Sequence, residues 1–209
     1  MINVIAKQVM AQTKKITMLL MLVTFTTSVW ANDVDVAEKK VVDVTSKIVH
    51  LLEVNDAQYS RDINALNAMV RTEILPLIDF EAMSKLTLGQ HWRTATPQQR
   101  QRFINAFREM LVKSYAKSML KYKGAAIKGV NSVPNSKPGY VLVRTVVTPK
   151  GAAPIKADYS VRKVDGIWKA YNVEIAGINL ITNFRTNFTR EASTKGLESL
   201  IARIEKSGS

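Results

Sequence analysis

The 209-residue chain has no cysteine, which excludes a disulfide framework, a Cys-ligated zinc or iron–sulfur centre and a cysteine nucleophile. Only two histidines, His50 and His91, are present, too few for a histidine-rich metal site. Glycine and proline, nine and six residues, are too sparse for collagen-like or low-complexity designs. Acidic residues are scarce: 17 Asp and Glu stand against 30 Lys and Arg, a formal charge of +13. The scarcity is sharpest over residues 85–163, where 16 basic residues meet only two acids, Glu109 and Asp158. Chemistry that needs paired carboxylates is therefore poorly supplied. The sequence contains no GxSxG elbow, Walker loop, GxGxxG or HExxH pattern. These absences argue against an enzyme, call for no cofactor and leave His91, beside Trp92, as a structural residue.

The one concentrated apolar run, Ile16 to Phe25, follows Lys7, Lys14 and Lys15 and precedes the small residues Thr26, Thr27 and Ser28. This is the order of an export signal, with Val29-Trp30-Ala31 at the cleavage position. A membrane span needs about 20 predominantly apolar residues, and here threonines and the Asn32-Asp33-Val34-Asp35 stretch interrupt the run. The expectation is a cleaved signal over residues 1–31 and a single exported domain over 32–209, located in the periplasm. Loss of the three signal lysines lowers the charge to +10.

Apolar spacing of three and four predicts a helix from Val36 to Val54 and a second from Tyr59 to Ile74, ended by Pro76. Asp79 is placed to cap a short helix that ends at Gly89. Thr96-Pro97-Gln98-Gln99 has the composition of a capping box with proline at the first helical position. It predicts a long helix through Phe103, Phe107, Met110, Leu111, Tyr115 and Met119 to Gly124. After Gly124 the period falls to two, and four strands are expected: Ile127–Val133, Tyr140–Thr148, Ile155–Val164 and Trp168–Ile175. The last hairpin offers a choice of register. A three-residue loop, Asp165 to Ile167, pairs Val161 with Tyr171, Tyr159 with Val173 and Ala157 with Ile175, keeping one face apolar. A two-residue loop would mix the faces. Helical spacing returns from Leu180. The fold expected is α+β: a four-stranded antiparallel sheet curled against N- and C-terminal helices.

A basic surface attracts nucleic acid, anionic membrane or acidic protein. Export and the lack of an aromatic–basic RNA pattern argue against nucleic acid. Lys113, Lys117 and Lys121 stack at i, i+4 and i+8 of the long helix, although a solvated face without a partner is an equally ordinary reading of such a row.

Several separated stretches together resemble the MlaC family. They are Ile74-Leu-Pro76-Leu-Ile78-Asp-Phe80-Glu-Ala-Met83, Leu88-Gly-Gln-His-Trp92-Arg, Thr96-Pro-Gln-Gln-Arg100-Gln-Arg-Phe103 with Phe107, Leu111 and Tyr115, and Gly166-Ile-Trp168 continued to Phe188. The family comprises periplasmic phospholipid-binding proteins, also called toluene-tolerance proteins, of the system that maintains outer-membrane lipid asymmetry. The resemblance implies an α+β domain that encloses acyl chains in an apolar cavity and has no catalytic residues. It further implies a shuttle between an outer-membrane lipoprotein–porin complex and an inner-membrane ABC transporter with an MCE-domain subunit. Asn172, Ala176 and Asn179 depart from the commonest family pattern, with less negative charge near the last strand.

Under that resemblance the candidate acyl-chain contacts are Met83, Phe107, Leu111 and Tyr115 from helices and Val143, Tyr159, Val161, Tyr171, Val173 and Ile175 from strands. Each would equally serve as an ordinary core residue. Arg93, Lys113, Lys117, Lys121 and Arg144 are candidate contacts to a lipid headgroup or an acidic partner. The expected ligand is a glycerophospholipid and the expected carrier a monomer. An exported interaction module with a filled core is the alternative reading, and an exported hydrolase of unfamiliar kind a second.

Overall fold

The computed structural model describes residues 28–208, with side chains from Asn32 onward. The export signal expected over residues 1–31 lies outside the described residues, except for the backbone of its last four. Helix α1, Ser28–Val54, extends further N-terminally than its apolar spacing implied. It packs on two sides: Ala37 and Val49 lie against the sheet, whereas Ile48 and Leu52 pack among helices.

The single helix expected over Tyr59 to Ile74 is broken, and with its flanks the segment forms four short pieces. They are α2, Asp56–Tyr59; α3, Ile63–Met69; a π-helical turn, Val70–Ile74; and a 3₁₀ turn, Leu75–Leu77. Asp62 causes the first break, because its extended backbone and its carboxylate, which accepts from the amides of Asn64 and Ala65, start a new helix. Pro76 forces the later change of pitch, since its ring collides with the preceding turn and it donates no hydrogen bond. Asp79 caps α4, Phe80–Leu88, by accepting from the Ala82 amide, and Gly89, at φ +56°, turns the chain into α5, Gln90–Thr94.

Helix α6, Pro97–Met119, opens with both bonds of the expected capping box: Thr96 Oγ1 accepts from the Gln99 amide and Gln99 Oε1 from the Thr96 amide. Thr96→Ala is expected to cost about 1 kcal/mol and to lower Tm by about 2–4 °C in a scanning unfolding measurement. The helix is buried on two sides. Phe103, Phe107 and Met110 enter one core cluster, whereas Val112 and Ala116 fill a second, against α1 and α3. The second side went unnoticed in the sequence because Val112 and Ala116 lie among exposed lysines.

The sheet has six antiparallel strands rather than four, in the order β1-β3-β4-β5-β6, with β2 also on β3. These are β1, Ala126–Gly129; β2, Val133–Pro134; β3, Tyr140–Thr148; β4, Ile155–Val164; β5, Ile167–Ile175; and β6, Ile178–Asn179. The first expected strand divides because Asn131 takes a positive φ, 51°. Val141, Val143 and Val147 of β3 are buried on the face that α1 covers.

The β4–β5 hairpin combines both registers. Asp165 and Gly166, at φ 50° and 79°, make a two-residue turn that pairs Val164 with Ile167 and Val161 with Ala170. A bulge then absorbs one residue, so Tyr159 faces Val173 and Ala157 faces Ile175, as the three-residue loop predicted. The extra residue is Tyr171. Its expected partner Val161 pairs with Ala170, and the tyrosine ring turns to the opposite sheet face, 5.7 Å from that of Tyr140. Helices α7, Leu180–Lys195, and α8, Leu197–Gly208, close the fold, separated at Gly196.

Candidate functional site

The helical and sheet layers meet along β5. Ile78 forms a parallel bridge with Ala170, and the Asp79 amide donates to the Ala170 carbonyl at 2.8 Å. Arg162, on β4, reaches across to the Asp79 carboxylate, whose side chain is only 6% exposed. Asp79 therefore has two tasks, capping α4 and receiving the cation of the sheet. The Arg162 guanidinium also donates to the Tyr140 hydroxyl, 3.3 Å away, and holds that phenol below the usual tyrosine range. Burial pushes the neighbouring Tyr171 phenol up, against the opposing effect of its bond with Ser160. Tyr159, on the other face, is likewise raised by burial, opposed by a hydrogen bond with Thr45 of α1.

Half-buried apolar residues lie on both layers near this joint. On the helical side Leu75, Ile78, Leu111 and Phe184 are half-buried at the fringe of the large core cluster. Leu75 also packs on the cluster beneath α1, and its 3₁₀ turn touches β5. Tyr115 stands at the outer end, 40% exposed, with its ring 6.5 Å from that of Phe184. On the sheet side Tyr159, Val173 and Ile175 share one face by register; Val173 is half-buried and Ile175 is 41% exposed.

The ten candidate acyl-chain residues thus fall into four settings. Met83 and Phe107 are fully enclosed by helices; Phe107 has the rings of Phe103, Phe184 and Phe188 at 5.5, 5.2 and 5.9 Å. Val143 and Val161 are closed between α1 and the sheet, with Ala37, Val141 and Trp168 around them. Tyr159 packs with these residues beneath α1, Leu111, Tyr115, Val173 and Ile175 are half-buried or exposed at the edges of the layers, and Tyr171 is carried by the bulge to the joint with Tyr140. Leu75, Ile78 and Phe184 were not singled out as candidates. Their positions in the quoted stretches were the only signal, because each simply continues an apolar stripe.

The basic candidates are spread over the surface. Arg93 is exposed at the end of α5, and its carbonyl accepts from Arg100 at 3.4 Å. Lys113 and Lys117 are exposed on α6, but the helix ends at Met119, so Lys121 leaves the row on a 3₁₀ turn, Leu120–Tyr122. Lys121 there lines a polar depression with Glu53, Asp56, Lys123 and Lys150. Arg144 faces Asp158 at 4.0 Å and donates to the Asn131 carbonyl. The basic residues therefore do not form one uninterrupted patch. His91 is structural in setting: its Nε2 lies 3.2 Å from Ser193 Oγ, linking α5 to α7. Among the described residues no cluster of three or more His, Cys, Asp or Glu could hold a metal, and no helix is long and apolar enough to cross a membrane.

These features define a mixed helix–sheet domain with half-buried apolar residues on both layers and a strongly basic composition. The profile of the MlaC protein family matches residues 42–206, and the chain belongs to that family. It is 24% identical over 166 residues to the "Intermembrane phospholipid transport system binding protein MlaC" of Haemophilus influenzae, covering 78% of each chain. It is 28% identical over 153 residues to the "Toluene tolerance protein ttg2D" of Pseudomonas putida, covering 73% of this chain and 71% of that one. A solved structure of a Ralstonia solanacearum phospholipid-binding protein, in complex with a phospholipid, has the same fold: TM-score 0.74 at 22% identity, over 82% of this chain and 96% of the other.

Proposed function

We propose that the protein is a periplasmic phospholipid carrier that holds acyl chains between its helical and sheet layers. The observation that carries this reading is the presence of half-buried apolar residues on both layers of a member of the MlaC family, and the reading joins them into one seam. Each methylene brought out of apolar surroundings costs about 0.8 kcal/mol, so a two-chain lipid crosses water only inside a protein. Leu75, Ile78, Leu111, Tyr115, Phe184, Val173 and Ile175 border the place where the layers part with least loss of packing. Residues such as Val161 are already in contact on all sides, 1% exposed, and remain core in both states.

The carrier acts as a monomer without catalysis. It exchanges lipid between an outer-membrane lipoprotein–porin complex and an inner-membrane ABC transporter with an MCE-domain subunit. Arg93, Lys113, Lys117, Lys121 and the half-buried Arg144 are the cations through which it meets headgroups or acidic partner surfaces. Such contacts are fast and salt-sensitive, as a shuttle requires.

The test is organic-solvent extraction of the purified protein followed by mass spectrometry. The expected result is close to one intact phospholipid per chain. An extract without lipid overturns the reading in favour of an interaction module, and lysophospholipid with free fatty acid overturns it in favour of a hydrolase.

A further inference from the structure

Helix α7 presents two different sides. At 100° per residue, Ile181, Phe184, Phe188 and Ala192 share the side that enters the core. Arg185, Thr186, Thr189, Arg190 and Ser193 line a depression of about 410 Å³ on another. The depression is shallow and open to solvent.

The depression is chemically one-sided. Among the described residues no carboxylate pairs with Arg185 or Arg190; Arg190 donates only to the Asn187 side-chain oxygen, at 2.8 Å. The Thr189 hydroxyl is buried in the wall and has no hydrogen-bond partner. Buried polar atoms are nearly always satisfied, so this hydroxyl marks a place for one. Arg185 lies against the backbone joint between α4 and α5. A Cβ built on Gly89 would come within 3.2 Å of its Nε, and the φ of +56° there already favours glycine. Glycine thus lets the guanidinium rest against the chain, which reduces the side-chain freedom lost on binding. Ser193, on the rim, is fixed by its contact with His91.

We propose that this face of α7 is a binding site for a phosphate group, mono- or diester. The guanidinia of Arg185 and Arg190 supply the charge-assisted bonds for which arginine is suited, and rotation of the Thr189 side chain would turn its unpartnered hydroxyl from the wall towards the phosphate. The site lies away from Phe184 and Phe188 and does not rest on the carrier reading. A protein that extracts without lipid would still bind phosphate here, and a loaded carrier that ignores phosphate would leave only this proposal overturned.

The test is an amide NMR titration of the purified protein with inorganic phosphate, chloride being adjusted to hold ionic strength constant. Saturable shifts are expected at Gly89, Thr186 and Thr189. The double variant Arg185→Gln/Arg190→Gln should weaken binding at least tenfold. Thr189→Val, which removes no charge, should weaken it severalfold, and Lys128→Gln/Lys206→Gln should leave it unchanged. Sedimentation with phosphatidylcholine vesicles containing phosphatidylglycerol identifies the source. Vesicle binding lost in the arginine variant assigns the site to a lipid headgroup, whereas phosphate binding without vesicle binding assigns it to a soluble phosphate; both support the site. Shifts that do not saturate, or that are equal in the wild type and the arginine variant, overturn it.

Discussion

Replacement of Arg162 by methionine is expected to lower the stability of the folded chain by about 3 kcal/mol and Tm by about 6–12 °C. The cause is Asp79, whose carboxylate is 6% exposed and would lose its counter-ion. Breaking a buried pair from one side costs about 3–5 kcal/mol, and the lower end applies because the Arg162 side chain remains 29% exposed and water reaches it. Asp79→Asn is milder, since the amide oxygen still accepts from Ala82 and caps α4. Asp79→Ala loses the cap as well and should cost about 1 kcal/mol more. In the double variant Asp79→Asn/Arg162→Met no charge is left unpaired, so its cost should fall below the sum of the single costs by about 0.5–3 kcal/mol. Urea unfolding of the four proteins measures the coupling. Costs that simply add would mean that the pair does not join the layers.

That joint explains which parts of the architecture were visible before the structure. Thr96 to Gln99 and Asp79 were legible as helix starts because a cap is completed within three or four residues, and both occur as expected. Strands β3 and β4 were legible to the residue, since alternation over nine or ten positions leaves little choice of phase. Legibility ended where distant parts meet. Arg162 and Asp79 are 83 residues apart, and no local pattern links them. The bulge at Tyr171 reconciles a two-residue turn with an apolar face. The local preference of Asp165-Gly166 and the packing preference of Tyr159 and Val173 each prevailed over part of the hairpin. Either preference alone predicts an unbroken register. The candidate site was legible only as a set of apolar residues. Val161 and Ile175 look alike in a strand pattern, and only the position of α1 makes one enclosed and leaves the other exposed.

This difference in enclosure carries the last expected result, which separates packing from ligand binding. Phe107→Ala removes a ring held by three others inside the helical core and should cost about 3–5 kcal/mol. Ile175→Glu acts in the opposite manner. At 41% exposure its carboxylate stays hydrated, and the change in stability should remain within about 0.5 kcal/mol, as for other surface substitutions. The same charge at the seam denies an acyl chain its contact there. Losing cover for two methylenes, at about 0.8 kcal/mol each, is enough to lower retention roughly tenfold. Thermal unfolding and phosphorus analysis of the extracted lipid, run on both variants, give the comparison. The expected pattern is a destabilised Phe107→Ala that keeps its lipid below its own unfolding temperature, and a stable Ile175→Glu that is purified nearly empty. If Ile175→Glu keeps its full lipid complement, acyl chains do not lie along the seam. Loss of lipid by Phe107→Ala while it remains folded would instead place them deeper, among the phenylalanines of α6 and α7.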